Sequence, residues 1–356
     1  MRKSFQFILL NKKSKFINLL FLFAFIFPLN SKEAGEGNKK ENKKVKVEIL
    51  SAKSLKAGKS KNHQKLVGDV VLRQEDVKLY CDSAEINQLN NDFEAWGKVF
   101  INKNDSIKAW GDSLKYDGTT ETAKLIGNAR LVKKGTELKT DVLYLDQKRD
   151  LFYYLTPAKI QSDETNIESG RGYYYTETNK ITFRKDVVVK HPEYTIKADT
   201  LDYYSSSEKV VFHGPTNILL ETDTIYCESG FYNPNSKSAE FVKNAKVISK
   251  ESTLLADSIV VDQELELSKS FGNVSVVDTV NKVTITGEYG YFDQENNLSY
   301  VTDSALFVQF MDDDTLYLHG DTIRAVEDTL KQKSFYVYDN VRMFKKDMQA
   351  VCDSLT

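Results

Sequence analysis

The chain has 356 residues, 41% of them hydrophobic and 12% aromatic, which is ample material for a core. Residues 66–356 hold 33 basic against 47 acidic side chains, and so acidic a surface excludes nucleic acid as a partner. With 19 Tyr and 20 Phe but 5 Pro, the composition favours strands over helices.

At the N-terminus, Arg2, Lys3, Lys12, Lys13 and Lys15 precede the apolar run Phe16–Leu29. A basic region, a short apolar run and then polar sequence predict a secretory signal peptide over residues 1–31, cut near Asn30–Lys32. The competing reading is a retained membrane anchor, but the run is shorter than the roughly 20 residues a spanning helix needs. No cysteine near the cut supports a lipoprotein anchor. Residues 32–65 hold 11 Lys and 4 acidic residues and read as a flexible, solvated leader, with contact to anionic lipid head groups as the sharper alternative.

From residue 66 to the end a pattern returns about every 29 residues. Its acidic slot is held by Asp82, Asp112, Asp141, Gly170, Asp199, Glu228, Asp257, Glu288, Asp321 and Asp353, glycine replacing the acid once. A fixed period of this size predicts stacked repeats in one elongated body. At one strand per sheet and period, that body spans roughly 48 Å. Each period opens on a turn-like signal followed by alternating apolar residues, as in Gly68-Asp-Val70, Gly97-Lys-Val99, Gly127-Asn-Ala129, Gly272-Asn-Val274 and Asp339-Asn-Val341. These predict a turn and then a half-buried strand.

Around the acid, four slots recur. Three places before it stand Leu79, Leu138, Ile196, Ile225, Leu254, Ile285 and Leu318, with Ala109, Ile167 and Ala350 in the remaining periods. The place immediately before it is always small, from Cys81 and Gly111 to Cys352. Two places after it come Leu114, Leu143, Leu201, Ile259 and Ile323, and four places after it Ile86, Tyr116, Leu145, Tyr203, Tyr232, Val261 and Phe292. Strand side chains alternate between faces, so this spacing breaks parity at the acid. A bulge or corner there returns all four slots to the inside, the small residue making room and the acid pointing to water. In three periods Gly172, Gly230 and Gly290 replace the apolar residue after the acid. A glycine there marks close approach of another backbone or a ligand, or a neighbouring ring filling the vacated volume. The stack ends in open strand edges, which invite a partner chain.

No constellation for catalysis appears. Cys81, Cys227 and Cys352 share the small slot, too many periods apart for disulfides, and read as buried thiols. His63, His191, His213 and His319 lie in different periods, and Met311-Asp-Asp-Asp314 reads as a solvated hairpin tip. No enzyme, cofactor or metal site is expected.

The segments Lys124-Leu-Ile-Gly127-Asn-Ala129-Arg-Leu-Val, Leu138-Lys-Thr-Asp141-Val-Leu-Tyr144, Lys209-Val-Val-Phe-His-Gly214 and Ile196-Lys-Ala-Asp199-Thr-Leu resemble the repeat of the OstA/LptA superfamily. The resemblance covers about residues 66–356. It implies an all-β twisted β-jellyroll with two splayed sheets around an apolar groove for lipid A acyl chains. It further implies a periplasmic bridge that passes lipopolysaccharide or a related lipid toward the outer membrane, with association with that membrane as a further expectation. Its partners would be other lipopolysaccharide-transport components, or copies of itself, joined through strand edges. The apolar slot residues named above are then the candidate groove lining. The alternatives are a structural or adhesive surface β-solenoid without a groove and, further off, a carbohydrate-active β-helix enzyme.

Overall fold

The computed structural model describes residues 46–57, 62–133, 135–162, 164–327 and 333–356. The signal peptide and the first part of the leader lie outside the described residues. Within them every regular element is a β-strand, and no helix is long and apolar enough to cross a membrane. The chain forms two units, one reaching to Pro192 and including Thr200–Ser206, the other made of Glu193–Asp199 and Ser207–Thr356.

The N-terminal unit begins with β1 (Glu48–Ser51), β2 (Ser54–Ala57), β3 (His63–Gln74), β4 (Val77–Asn87), β5 (Asp92–Lys103) and β6 (Ile107–Asp117). It continues through β7 (Thr122–Lys133), β8 (Thr136–Asp146), β9 (Leu151–Tyr154), β10 (Ala158–Ser162), β11 (Thr165–Ser169), β12 (Arg171–Tyr175) and β13 (Lys180–His191). β14 (Tyr194–Tyr204) contributes residues to both units. The C-terminal unit then holds β15 (Lys209–Leu220), β16 (Thr224–Asn233), β17 (Ser238–Ile248), β18 (Ser252–Asp262), β19 (Leu267–Asp278) and β20 (Val283–Asp293). Its last strands are β21 (Leu298–Phe310), β22 (Thr315–Glu327), β23 (Lys333–Lys345) and β24 (Met348–Leu355).

In each unit successive strands pair antiparallel, and the register slips at mid-strand. On β3 the residues Gly68 and Asp69 lie between the pairs Val67–Ser83 and Val70–Cys81, opposite the single residue Asp82. The same step recurs at Gly97-Lys98 and Gly127-Asn128 in the N-terminal unit, and at Lys243-Asn244, Gly272-Asn273 and Asp303-Ser304 in the C-terminal one. Both residues of each of these steps are left-handed, for example Gly127 at φ 78° and Asn128 at φ 47°. Two successive left-handed residues turn the strand sharply without ending it. The turn-like signal of the sequence is therefore a mid-strand corner and does not reverse the chain. The extra residue sits on the strand opposite the acid, not at the acid itself. Chain reversal happens elsewhere, at polar tips such as 117–122, where Asp117 Oδ1 accepts the backbone N–H of Thr119 and Thr120 at 2.8 and 2.9 Å.

The acid does face water, and it also clamps the next corner. Asn128 Nδ2 donates to Asp112 Oδ2 at 3.0 Å, Asn244 to Glu228 at 2.9 Å, Asn273 to Asp257 at 3.0 Å and Asn340 to Asp321 at 3.0 Å. The Asp112 carboxylate also packs over Gly127, where a Cβ would collide with Oδ2. One position inverts the arrangement: Gly170 stands in the acidic slot, and the side chain of Lys185, from the corner of β13, lies over it.

Within the stretch read from sequence as flexible leader, Glu48–Ser51 and Ser54–Ala57 are strand. β1 and β2 both pair with β3, and Lys53 Nζ meets Asp69 Oδ2 at 2.6 Å beside the first corner. The lysine content signalled solvation, while the free edge of β3 supplied the backbone partners that composition does not report.

Gly127→Ala is expected to lower the unfolding free energy of the purified protein by about 1–3 kcal/mol, since the methyl meets both a left-handed backbone and Asp112. Asn128→Ala removes one exposed hydrogen bond and is expected to cost less, about 0.5–1.5 kcal/mol. Urea denaturation of the two variants tests the order.

Candidate functional site

The corners put the recurrent apolar slots into continuous rows across each sheet. In the N-terminal unit one row runs Leu72, Leu79, Ile101, Ala109, Leu131, Leu138, Ile160, Ile167, Val189, each paired with the next. On the other side of the corner a second runs Ile86, Phe93, Tyr116, Ala123, Leu145, Phe152, Tyr174, Ile181. Between them lie Leu66, Ala84, Ala95, Leu114, Leu125 and Leu143. The C-terminal unit repeats this with Ile225, Val247, Leu254, Val276, Ile285, Phe307 and Leu318 on one side. Phe241, Ile259, Val301 and Ile323 lie on the other, with Tyr232, Val261 and Phe292 beyond them.

These rows meet across the bend. Phe307, after the corner of β21, and Phe335, before the corner of β23, have ring centroids 5.2 Å apart, edge to face. Each unit is thus a sheet folded along its line of corners, with apolar rows inside both halves. Every buried Leu, Ile, Val or Phe contributes about 1.5–3 kcal/mol, and the rows are long, so the interior holds each fold together.

Of the sequence-derived lining residues, Leu79, Ile86, Leu114, Tyr116, Leu143, Ile196, Leu201, Tyr203, Ile225, Tyr232, Leu254, Ile259, Val261, Ile285, Phe292, Leu318 and Ile323 are buried. Leu138 and Leu145 are half-buried instead. Both lie on β8, one on each side of its corner. Beside them is a cavity of about 50 Å³ lined by Leu131, Leu138, Leu143, Phe152, Tyr154, Ile160, Phe183 and neighbours. Thr136 Oγ1 in that wall is bound to Ser162 Oγ at 2.7 Å, and the surface the cavity presents is apolar. A larger groove of about 580 Å³ lies next to it, mixed in character, lined by Glu85, Glu94, Lys115, Lys124 and Tyr144 together with Phe93, Tyr116 and Leu145. Tyr153 borders both.

The outward faces carry aromatic rows clamped by cations. Tyr144 and Tyr153 stack at 4.7 Å and Tyr153 and Tyr173 at 6.1 Å, with Lys124 over Tyr144 at 5.3 Å and Arg184 over Tyr173 at 5.6 Å. Tyr80, Phe100 and Trp110 form another row, closed by Arg130 at 4.6 Å from the Trp110 ring. Stacked rings and cation–π contacts shield apolar area that would otherwise lie open on an outer face.

The family model for OstA-like proteins matches residues 42–199 and 195–257, more than half of the chain. The chain belongs to the OstA-like family. Among solved structures it is similar to LptH from Pseudomonas aeruginosa, described as the LptA homologous periplasmic component of the conserved lipopolysaccharide transport device. The identity is 16% over 30% of this chain and 81% of that chain, with a TM-score of 0.28. No curated protein matches. The OstA-like match begins at residue 42, within the stretch read from sequence as leader.

The three slot glycines of this OstA-like chain have three different causes. At Gly172 the ring of Tyr154 from β9 fills the space, at Gly290 a Cβ would lie 3.0 Å from the Phe292 ring, and at Gly230 the carbonyl of Glu240 passes too close for any side chain. The thiols are free, and burial pushes Cys81 up to about 11 and Cys227 up to about 12. Among the described residues no group of three or more His, Cys, Asp or Glu could hold a metal.

Sequence reasoning missed Phe152, Tyr154, Ile160 and Phe183, which line the cavity. Their period lacks a Gly or Asn corner, and the signal available was Thr156-Pro157 in its place. It also missed the outer aromatic rows, because their members alternate with the inner slots and meet only through pairing.

Burial raises the phenol of Tyr174 to about 12 from its ordinary 10.0 and raises that of Tyr154 further, although Ser169 Oγ bonds the latter at 2.6 Å. Their contribution to stability is full below pH 10 and declines as the pH climbs toward 12, because the unfolded chain ionises first. The urea midpoint is expected to fall across that window. Tyr174→Phe should flatten the fall, a result read from urea titrations at stepped pH.

Proposed function

We propose that this OstA-like chain is a periplasmic lipid-carrying bridge. Lipopolysaccharide moves through it toward the outer membrane, acyl chains held between the inner rows of the folded sheets. The single observation that carries the reading is the run of largely apolar rows on the inner sides of both halves in a member of this family. An acyl chain needs a long, apolar, water-free path, and three rows in register supply one in each unit. Small hydroxyl side chains, such as Ser268 and Ser270, interrupt the rows of the C-terminal unit.

Assembly edge to edge belongs to the same reading. Among the described residues β24 pairs with β23 alone, and its Val351 is 82% exposed. An exposed apolar strand with unpaired backbone groups is a template for another strand. Other lipopolysaccharide-transport components or a second copy of the chain are the partners this edge fits.

A photo-reactive benzophenone side chain at Leu143, Leu201 or Ile259 is expected to crosslink to lipopolysaccharide in cells, whereas at the exposed Lys139 or Lys197 it should not. Equal labelling at both sets rejects the lipid path. No labelling at any inner position favours instead a structural or adhesive β-solenoid with a filled interior.

A further inference from the structure

We infer that the N-terminal unit takes up its lipid from the side, through the interrupted corner at Leu155–Pro157. The inference rests on the lipid-carrying reading above and adds the place of entry. Everywhere else in this unit a corner keeps its strand whole. Here the strand breaks into β9 and β10, and the next one breaks into β11 and β12 at Gly170. Neither Thr156 nor Pro157 is left-handed, and proline cannot be, because its ring holds φ near −65°. The slot opposite this break holds Gly170 in place of an acid. Two consecutive rungs of the corner line are therefore weakened at one point.

That point coincides with the gap in the packing. Leu138 and Leu145, both half-buried, flank it on β8, and the apolar cavity lined by Leu138 lies beneath it. Leu155 stands on the break and is 44% exposed. Across the seam Thr140 Oγ1 lies 2.9 Å from Thr156 Oγ1 and 3.1 Å from the Pro157 carbonyl oxygen, beside the ladder that β8 keeps with β9 and β10. At about 50 Å³ the cavity is far too small for an acyl chain, so lipid entry requires the halves to part at this seam.

The chemistry next to the seam suits an amphiphile. The cavity offers only apolar surface to a tail. The groove of about 580 Å³ shares Tyr153 with it and presents Glu94, Lys115 and Lys124, an alternation of acceptors and donors suited to a hydroxyl-rich sugar head. Lys115 and Glu94 already pair at 3.0 Å, so the head group recognised is a polyol rather than a bare anion.

The test is a reversible staple, Thr140→Cys with Thr156→Cys, in full-length protein carrying Cys352→Ser. Fluorescent lipopolysaccharide micelles are the probe. The oxidised staple is expected to slow uptake at least tenfold, and reduction of the same sample should restore it. Uptake that is equal in both states, with Leu143 still crosslinking to lipid, overturns the side entry and leaves the lipid path standing. Loss of crosslinking at Leu143 in unstapled protein overturns both. A second measurement needs no disulfide. Benzophenone at Leu155 should label before benzophenone at Leu79 in a time course, while Leu79 labelling first shows entry along the rows from an end.

Discussion

The structure depends on one local constraint: two residues must oppose one at the middle of each paired strand. The pair takes left-handed backbone angles, the single residue opposite carries a carboxylate in most periods, and the residue before it must be small. Each part has its own cause. Left-handed angles select Gly, Asn and Asp. The inside of a bend leaves no room, which selects Cys81, Gly111 or Ala256. The outside leaves an unfilled corner that a short carboxylate covers while accepting a hydrogen bond from the Asn of the neighbouring strand. A sheet bent this way along a line presents both of its halves to one interior. Without the slip in register, the slots before and after the acid would fall on opposite faces, and no common interior would exist.

This geometry separates two duties. Inner rows carry aliphatic and aromatic side chains that touch one another across the bend, and outer rows carry charges and cation-capped rings. The first holds each unit together, and the second shields its outer faces. At the interrupted corner at Leu155–Pro157 the two systems meet, since Tyr153 borders both the apolar cavity and the mixed groove.

Much of the fold was legible in the residue order. The spacing of Leu79, Cys81, Ala84 and Ile86 about Asp82 already required a parity break, and the structure supplies it. What misled was the nature of the Gly127-Asn128 signal, because a reversing turn and a mid-strand corner select the same left-handed residues. The leader was misjudged at residues 48–57 for a related reason: lysines describe what faces water, while strand formation there came from the backbone of β3. The candidate lining was legible as a list, but not which members are only half-buried. Leu138 and Leu145 look like their counterparts in every other period.

By itself the sequence determined the all-β repeat, the inward slots and the family pattern, because these follow from backbone preference and periodicity, which are local. Only the tertiary structure decided where the interior is incompletely filled, which rings occupy the space above Gly172 and Gly290, and which cations sit over which aromatic rows. Those outcomes depend on pairing between strands and contact across the bend. No property of a single residue records what another strand will bring against it.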